Sequence, residues 1–148
     1  MLKLPPPVWA LIYLVVAGVV SWVYPWRALL DLRVLWLGIL LVIGGLALAL
    51  SAATLFRRKG TKVNPTSESN KLLVTSGPFH FTRNPMYLGL STFTLGTALC
   101  VGSLPMFLVP LLVFATVSLF HIPFEEARMR RQFGPAFDAY TRQVRRWI

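Results

Sequence analysis

The longest uncharged run of the sequence is "NPMYLGLSTFTLGTALCVGSLPMFLVPLLVFATVSLFHIPF", residues 84–124, which contains no Asp, Glu, Lys or Arg. As one helix these 41 residues would measure about 60 Å, roughly twice the thickness of the hydrocarbon core of a bilayer. Two antiparallel helices fit that thickness better. The sequence "GSLP" supplies the turn between them, and Pro105 suits the first turn of the second helix. The stretch therefore predicts a transmembrane hairpin with spans at about 86–101 and 104–121.

Two uncharged segments precede the hairpin, at 8–24 and 34–56, and each is long enough to cross the hydrocarbon. Gly38, Gly44 and Gly45 in the second segment would allow close contact with another helix. The N-terminus superficially resembles a signal peptide. It carries one lysine and no small-residue cleavage site before "SWVYPW", which favours a retained first transmembrane helix over a cleaved signal.

The composition indicates one integral membrane domain covering residues 1–148. The chain is 55% hydrophobic and only 14% charged, whereas about one quarter of the residues of a soluble domain are charged. The net charge is +10, and the basic residues flank apolar segments without forming a basic-aromatic module. We therefore expect contact with anionic lipid and no nucleic-acid partner. Cys100 is the only cysteine, so no intramolecular disulfide forms, and the sequence contains no cluster of metal ligands.

The basic residues also predict the orientation in the membrane. With four spans, the N-terminus, the 57–83 loop and the C-terminal tail share one side, which then holds 13 of the 15 basic residues. Arg27 and Arg33 lie on the other side. Because cytoplasmic loops are enriched in Lys and Arg, we expect both termini in the cytoplasm, and in a bacterium the plasma (inner) membrane as the location.

The tail at 124–148 predicts helix, since "FEEARMRRQF" is followed by a "GP" break and then by "AFDAYTRQVRRWI". One face of this helical pattern is apolar and comprises Phe133, Phe137, Tyr140 and Val144. The opposite face carries Asp138, Arg142, Arg145 and Arg146. Such a helix lies on the membrane surface or caps a site there. The predicted fold is all-α and integral to the membrane, with about four transmembrane helices and a C-terminal amphipathic helix.

Polar residues flank both ends of the hairpin, in "GPFHFTRNPMYLG" at 77–89 and "HIPFEE" at 121–126. If the hairpin forms, these two segments meet at the same face of the membrane. A helix N-terminus binds anionic groups such as carboxylates, and paired acids suit an ammonium or a ribose. A zwitterionic cofactor resembling an amino acid would satisfy both.

A purely structural interpretation of these residues also stands. Asn84 before Pro85 suits the start of a helix, where a polar cap and a proline are common. Glu125 and Glu126 follow Pro123 and suit the positive end of a helix dipole. Headgroup contact and helix capping would then account for the polar density without any ligand.

The two segments carry a family resemblance. "LVTSGPFHFTRNPMYLG" resembles the G-P-[FY]-x-x-x-R-[HN]-P-x-Y-x-G signature of the isoprenylcysteine carboxyl methyltransferase and phospholipid methyltransferase superfamily. "HIPFEEARMRRQFGPAFDAYTRQVRRWI" is similar to the second signature of that superfamily, a paired E-E followed by F-G, Y and a V-x-R-W-like end. Both occur in the family's order within 73–148, and the N-terminal half is similar only in having two spans.

This resemblance implies S-adenosylmethionine as cofactor and methyl transfer to a lipophilic acceptor: a lipid amine, a prenylcysteine carboxylate or a thiol. The sequence has no G-x-G-x-x-G, so a soluble Rossmann site is not expected. The resemblance assigns catalysis to Glu125, Glu126 and Arg83. It assigns cofactor binding to Gly77, Pro78, Phe79, Arg83, Asn84, Pro85, Met86, Tyr87, Gly89, His121, Glu125 and Glu126.

Three residues depart from the common pattern of the family. Asn84 stands where many members have histidine, and its side chain forms hydrogen bonds but cannot titrate. His80 and His121 stand where arginine is frequent, which argues against a clamp for an anionic substrate.

Other classes of function stay open at this point. A small four-helix transporter would more naturally carry an ionisable residue within a span, and residues 84–124 contain only His121. A non-enzymatic membrane adaptor is the third possibility.

One face of the first helix of the hairpin carries Gly89, Thr92 and Gly96. We favour a packing groove for a neighbouring helix on this face over a part of the adenosine pocket.

Overall fold

All regular secondary structure is helical where the computed structural model describes the chain, at residues 4–24, 32–58 and 72–148. No strand occurs in these ranges, which confirms the predicted all-α class. The helices are α1 (Pro6–Val23), α2 (Leu35–Arg58), α3 (Pro85–Val101), α4 (Leu104–Thr116), α5 (Ile122–Phe133) and α6 (Pro135–Gln143). A 3₁₀ turn, Gly77–His80, precedes α3, and a π-helical turn, Val117–His121, joins α4 to α5.

Within the described ranges, three helical stretches are long and apolar enough to cross a membrane: α1, α2 and the continuous helix Leu104–Phe133. The apolar helix α3 is shorter. Together they confirm the prediction of about four membrane helices. The 30 residues of Leu104–Phe133 measure about 45 Å, so the charged part after residue 124 extends beyond the roughly 30 Å hydrocarbon core.

The predicted hairpin forms between α3 and α4. Gly102 ends α3 with φ 73°, a left-handed conformation that glycine adopts without steric cost. A proline lies in the first turn of α4, as predicted for Pro105. Between α1 and α4, the Tyr13 and Thr116 hydroxyls are 2.9 Å apart, and those of Ser21 and Ser103 are 2.7 Å apart. The start of α1 therefore lies at the same end of the bundle as the start of α3.

Helices α2 and α3 touch backbone to backbone at glycines. A Cβ atom added to Gly45 would lie 2.6 Å from the Gly89 carbonyl oxygen, and one added to Gly96 would lie 2.7 Å from the Gly38 carbonyl oxygen. The predicted close contact is thus confirmed for Gly38 and Gly45, which are two helical turns apart. For Gly44 the prediction is wrong, because that position lies about 100° around the helix and a Cβ there meets no described atom within 4 Å.

The sequence suggests a helix start at Pro123, but the helix is continuous there. The N–H of Ile122 donates to the Val117 carbonyl, and His121 and Ile122 both have right-handed helical angles. Proline has no N–H to give to the preceding turn, and a local widening into a π turn accommodates it. The prediction that Glu125 and Glu126 lie at the free N-terminus of a helix is therefore wrong.

The C-terminal tail packs onto the protein with its predicted apolar face. Phe137, Tyr140 and Val144 are buried against Leu73, Met129 and Phe133. Helix α6 ends at Gln143, and Val144 is extended, so helical periodicity no longer applies to the last residues. The prediction that Arg146 points away with the polar face is wrong for this reason.

Candidate functional site

An open cavity lies at one end of the bundle, where the end of α2, the start of α3, and helices α5 and α6 meet. It measures about 80 Å³. Seven of the residues that the family resemblance assigns to the site line it: Phe79, Arg83, Asn84, Met86, Tyr87, Glu125 and Glu126. The other lining residues are Phe56, Leu73, Val74, Met129, Phe137 and Tyr140.

Aromatic contacts hold the 3₁₀ turn in the wall of this cavity. The rings of Phe79 and Phe56 meet edge to face, with centroids 4.9 Å apart and an interplanar angle of 87°. The Tyr140 hydroxyl donates a 2.6 Å hydrogen bond to the Phe79 carbonyl. Burial raises the pKa of Tyr140 to about 12, while the positive charge of Arg83 opposes that shift. Tyr140 therefore stays a neutral donor and joins the turn to α6.

Glu126 is neutralised by two arginines. Its Oε1 lies 3.2 Å from Arg83 Nη2, and its Oε2 lies 2.6 Å from Arg146 Nη2. The side chains of Glu126 and Arg83 are only 17% and 15% exposed. The two guanidinium groups supply charge-assisted hydrogen bonds to a carboxylate that is largely withdrawn from water. Glu126 thus fixes the positions of Arg83 and the C-terminus.

The last residues run back across the site as a non-helical segment, residues 144–147, which we call the C-terminal strap. The Asn84 side-chain N–H and the Thr82 hydroxyl both donate to the Arg146 carbonyl, at 2.9 and 3.2 Å. The Trp147 ring stacks on Phe114 with centroids 4.6 Å apart. Asn84 occupies the predicted position before α3, but its side chain makes no capping hydrogen bond, because its amide holds the strap instead.

Glu125 has a different environment from its neighbour. The Tyr87 hydroxyl donates a hydrogen bond to Glu125 Oε1, and among the residues that the structure describes no cation pairs with this carboxylate. Glu125 lies just beyond the apolar span. Burial raises its pKa to about 7; the hydrogen bond from Tyr87 opposes the shift and the charge of Glu126 adds to it. An ionised Glu125 would gain from a cationic ligand.

The remaining five residues assigned by resemblance do not line the cavity. Gly77 and Pro78 belong to the 3₁₀ turn, and Pro85 is buried in the first turn of α3. Gly89 lies against the α2 backbone, in the packing groove that its spacing predicts. His121 ends the π turn, one helical turn below Glu125.

Sequence reasoning missed several residues of the site. The apolar face of α6 was a usable signal for Phe137 and Tyr140, which line the cavity. No sequence signal pointed to Phe56, which reaches the cavity from the end of α2. None pointed to Arg146 either, because its contact with Glu126 depends on the chain leaving the helix after Gln143.

The pairing of Arg146 with Glu126 makes a testable contribution to stability. We expect Arg146→Met to lower the free energy of unfolding by about 1–3 kcal/mol, because Glu126 would lose one of its charged hydrogen-bond partners. Arg142→Met removes an exposed arginine from α6 and is the control. Thermal unfolding of the detergent-solubilised protein, followed by circular dichroism, measures both. Equal melting temperatures for the two variants would contradict the structural role of Arg146.

One family of known proteins matches most of the chain. The sequence profile described as phospholipid methyltransferase matches residues 34–136, which is more than half of the chain. The match begins at α2 and therefore extends beyond the two signature segments. No individual curated protein matches the chain. The matched family indicates methyltransferase activity in a membrane. The chain therefore belongs to the phospholipid methyltransferase family, in the isoprenylcysteine carboxyl methyltransferase and phospholipid methyltransferase group.

Proposed function

We propose that this protein transfers a methyl group from S-adenosylmethionine to a lipophilic acceptor that reaches the site from the bilayer. Members of the matched family generally use this cofactor. The observation that carries the proposal is the partly buried carboxylate of Glu125, which lines the cavity without a cationic partner among the described residues.

The donor set of the cavity suits a zwitterionic ligand. Glu125 would accept hydrogen bonds from an ammonium group. Arg83 has a buried Nε with no hydrogen-bond partner in the described structure, and this N–H would bind a carboxylate. The apolar surfaces of Phe79, Met86 and Phe137 would cover a nucleoside base. These residues fit S-adenosylmethionine, which when bound supplies an electrophilic methyl group on a sulfonium.

The cavity is too small to enclose the whole cofactor. Its volume of about 80 Å³ is smaller than that of typical small-molecule sites, which occupy about 300–1,000 Å³. A ligand as large as a nucleoside would extend through the open mouth or separate the walls. The chain's contribution to the reaction would then be positional, because it holds cofactor and acceptor in line at short distance.

The directions in which the helices run support placing the cavity and both termini on the same side of the membrane. The start of α1, the end of α2, the start of α3 and the charged end of α5 all lie at the cavity end of the bundle. Together with the distribution of basic residues, this supports a cytoplasmic site within a single domain of residues 1–148.

Equilibrium binding tests the proposed cofactor. Purified protein in detergent should bind radiolabelled S-adenosylmethionine saturably, and unlabelled S-adenosylhomocysteine should compete. A transporter of unrelated solutes or a membrane adaptor would show no saturable binding. That result in well-folded wild-type protein would reject the proposal.

The pKa of Glu125 predicts how cofactor binding depends on pH. A cationic group binds the ionised carboxylate, so affinity should rise up to about tenfold between about pH 6 and about pH 8, with a proton released on binding near pH 7. The stability of the protein should change with pH in the opposite direction. Without ligand, the contribution of Glu125 to the free energy of unfolding falls as the pH rises towards 7, because burial raises the pKa of this carboxyl in the folded state.

Calorimetric titrations in two buffers of different ionisation enthalpy measure both the affinity and the proton release. Glu125→Gln is the control, because it keeps the shape of the side chain and does not titrate. Its affinity should be lower and should not vary across this pH range. A Gln variant with the same pH dependence as wild type would assign the effect to another group.

A further inference from the structure

The C-terminal strap has two sides, and one of them holds part of the cavity wall. The Arg83 backbone N–H donates a 3.0 Å hydrogen bond to the Arg145 carbonyl. The Arg146 carbonyl accepts hydrogen bonds from the side chains of Thr82 and Asn84, at 3.2 and 2.9 Å. Two consecutive carbonyls of the strap therefore hold three consecutive residues before α3, and two of these, Arg83 and Asn84, line the cavity. A displaced strap would release both from these contacts.

The other side of the strap reaches the membrane. The Trp147 ring stacks on Phe114 of α4, with the centroids 4.6 Å apart and an interplanar angle of 28°. Phe114 belongs to the membrane-crossing helix Leu104–Phe133, in which the first charged residue is Glu125. Because Phe114 is 45% exposed, this part of it contacts lipid in a bilayer. Trp147 therefore lies next to lipid, as tryptophans at membrane boundaries commonly do.

Arg145 supplies an uncompensated positive charge near this contact. It is exposed and pairs with no acidic residue in the described part of the chain, where Glu126 and Asp138 already bind other arginines. The chain from Arg145 to Trp147 spans at most about 7 Å. A positive charge so close to an aromatic ring at the membrane boundary suits the phosphate of an anionic lipid, which attracts each basic residue near the surface.

We propose that the strap binds anionic lipid through Arg145 and Trp147, and that lipid bound there holds Arg83 and Asn84 in position for the cofactor. The basic loops of a membrane protein attract anionic lipid in general, whereas the strap joins one such contact to the cavity. A lipid that binds only the docked strap favours the docked state, and so does a cofactor that needs this state, so each strengthens binding of the other. This link to the cavity rests on the proposed function; the lipid contact does not.

Ligand affinity in nanodiscs of two lipid compositions tests the link to the cavity. One kind contains phosphatidylcholine alone, and the other contains equal parts of phosphatidylcholine and phosphatidylglycerol. The probe is radiolabelled S-adenosylhomocysteine, because it lacks the sulfonium charge and an anionic membrane therefore does not concentrate it near the protein. We expect wild-type protein to bind the probe about fivefold more tightly in the anionic nanodiscs, the factor expected for one basic residue at an anionic surface.

Three variants show whether this effect belongs to the strap. Arg145→Gln should bind the probe equally in both kinds of nanodisc, and Arg145→Lys should keep the difference, because it keeps the charge. Arg131→Gln is the matched control, since it removes an exposed arginine of α5 and should keep the difference as well. Equal affinity of wild-type protein in both nanodiscs, or the same loss in Arg131→Gln as in Arg145→Gln, would overturn the inference.

Fluorescence quenching tests the lipid contact without any cofactor. Trp147 is one of five tryptophans, so the difference in emission between wild-type protein and Trp147→Phe isolates its signal. The mixed nanodiscs are prepared with bromine on the acyl chains of either the anionic or the neutral lipid, which leaves the head groups unchanged. Brominated phosphatidylglycerol should quench Trp147 more strongly than brominated phosphatidylcholine, and Arg145→Gln should remove this preference. Equal quenching by both lipids in wild-type protein would overturn the contact.

The two measurements together separate this inference from the proposed function. Saturable binding of the probe with the same affinity in both nanodiscs would overturn the inference and leave the proposed function standing. Absent binding of both the probe and S-adenosylmethionine in folded wild-type protein would overturn the proposed function, and with it the link to the cavity.

Discussion

Replacement of Glu125 with alanine is expected to weaken binding of S-adenosylmethionine about 100-fold. The carboxylate is partly buried, accepts a hydrogen bond from Tyr87 and has no cationic partner among the described residues. Truncating one partner of a buried, hydrogen-bonded charge pair costs about 2–5 kcal/mol, and about 2.7 kcal/mol corresponds to 100-fold. Equilibrium binding of the radiolabelled cofactor measures the change.

Asp138→Ala is the matched control for this experiment. Asp138 is also a carboxylate in the tail, but it pairs with Arg130 at 2.8 Å on the exposed surface. Its loss should change cofactor affinity less than twofold, since exposed ion pairs contribute little. An unchanged affinity in Glu125→Ala, with the protein still folded, would remove Glu125 from the cofactor site.

The second large effect concerns the contact between α2 and α3. Gly96→Val should prevent stable packing of these helices, because a Cβ at this position would lie 2.6 Å from the Val42 nitrogen and 2.7 Å from the Gly38 carbonyl oxygen. These neighbours are backbone atoms of another helix, so relief requires the helices to separate. We expect a loss of at least about 3 kcal/mol, the upper part of the range for overpacking.

Gly44→Val provides the comparison, because it adds the same side chain to a membrane helix at a position with nothing within 4 Å. Thermal unfolding in detergent and the yield of monodisperse protein should match wild type for Gly44→Val and fall sharply for Gly96→Val. Equal behaviour of the two variants would show that α2 and α3 do not pack through these glycines.

Much of the fold could be predicted from the sequence because a bilayer imposes simple constraints. The uncharged length of 84–124 required a hairpin, and the position of Gly102 and Pro105 located its turn. The break expected at Pro123 was wrong because a π turn absorbs the missing N–H without ending the helix. The sequence around a proline does not show whether the packing of the residues before and after it keeps the helix continuous.

The candidate site was predictable where motif residues are neighbours across the hairpin. Tyr87 and Glu125, for example, come together as the pairing of the two segments requires. The strap was not predictable, because its contacts join Arg146 to Asn84 and Glu126 after helical periodicity has ended. Interactions of this kind depend on tertiary packing and leave no periodic signal in the sequence.

Methyl transfer from S-adenosylmethionine to a molecule of the bilayer can be measured directly in a lipid membrane. Wild-type protein and Glu125→Gln are reconstituted in nanodiscs made from a total lipid extract and incubated with methyl-labelled cofactor, and the extracted lipids are analysed by mass spectrometry. We predict a labelled lipid with wild-type protein and at least about tenfold less with Glu125→Gln. No labelled lipid with wild-type protein that binds the cofactor, or equal labelling by both proteins, would contradict the account.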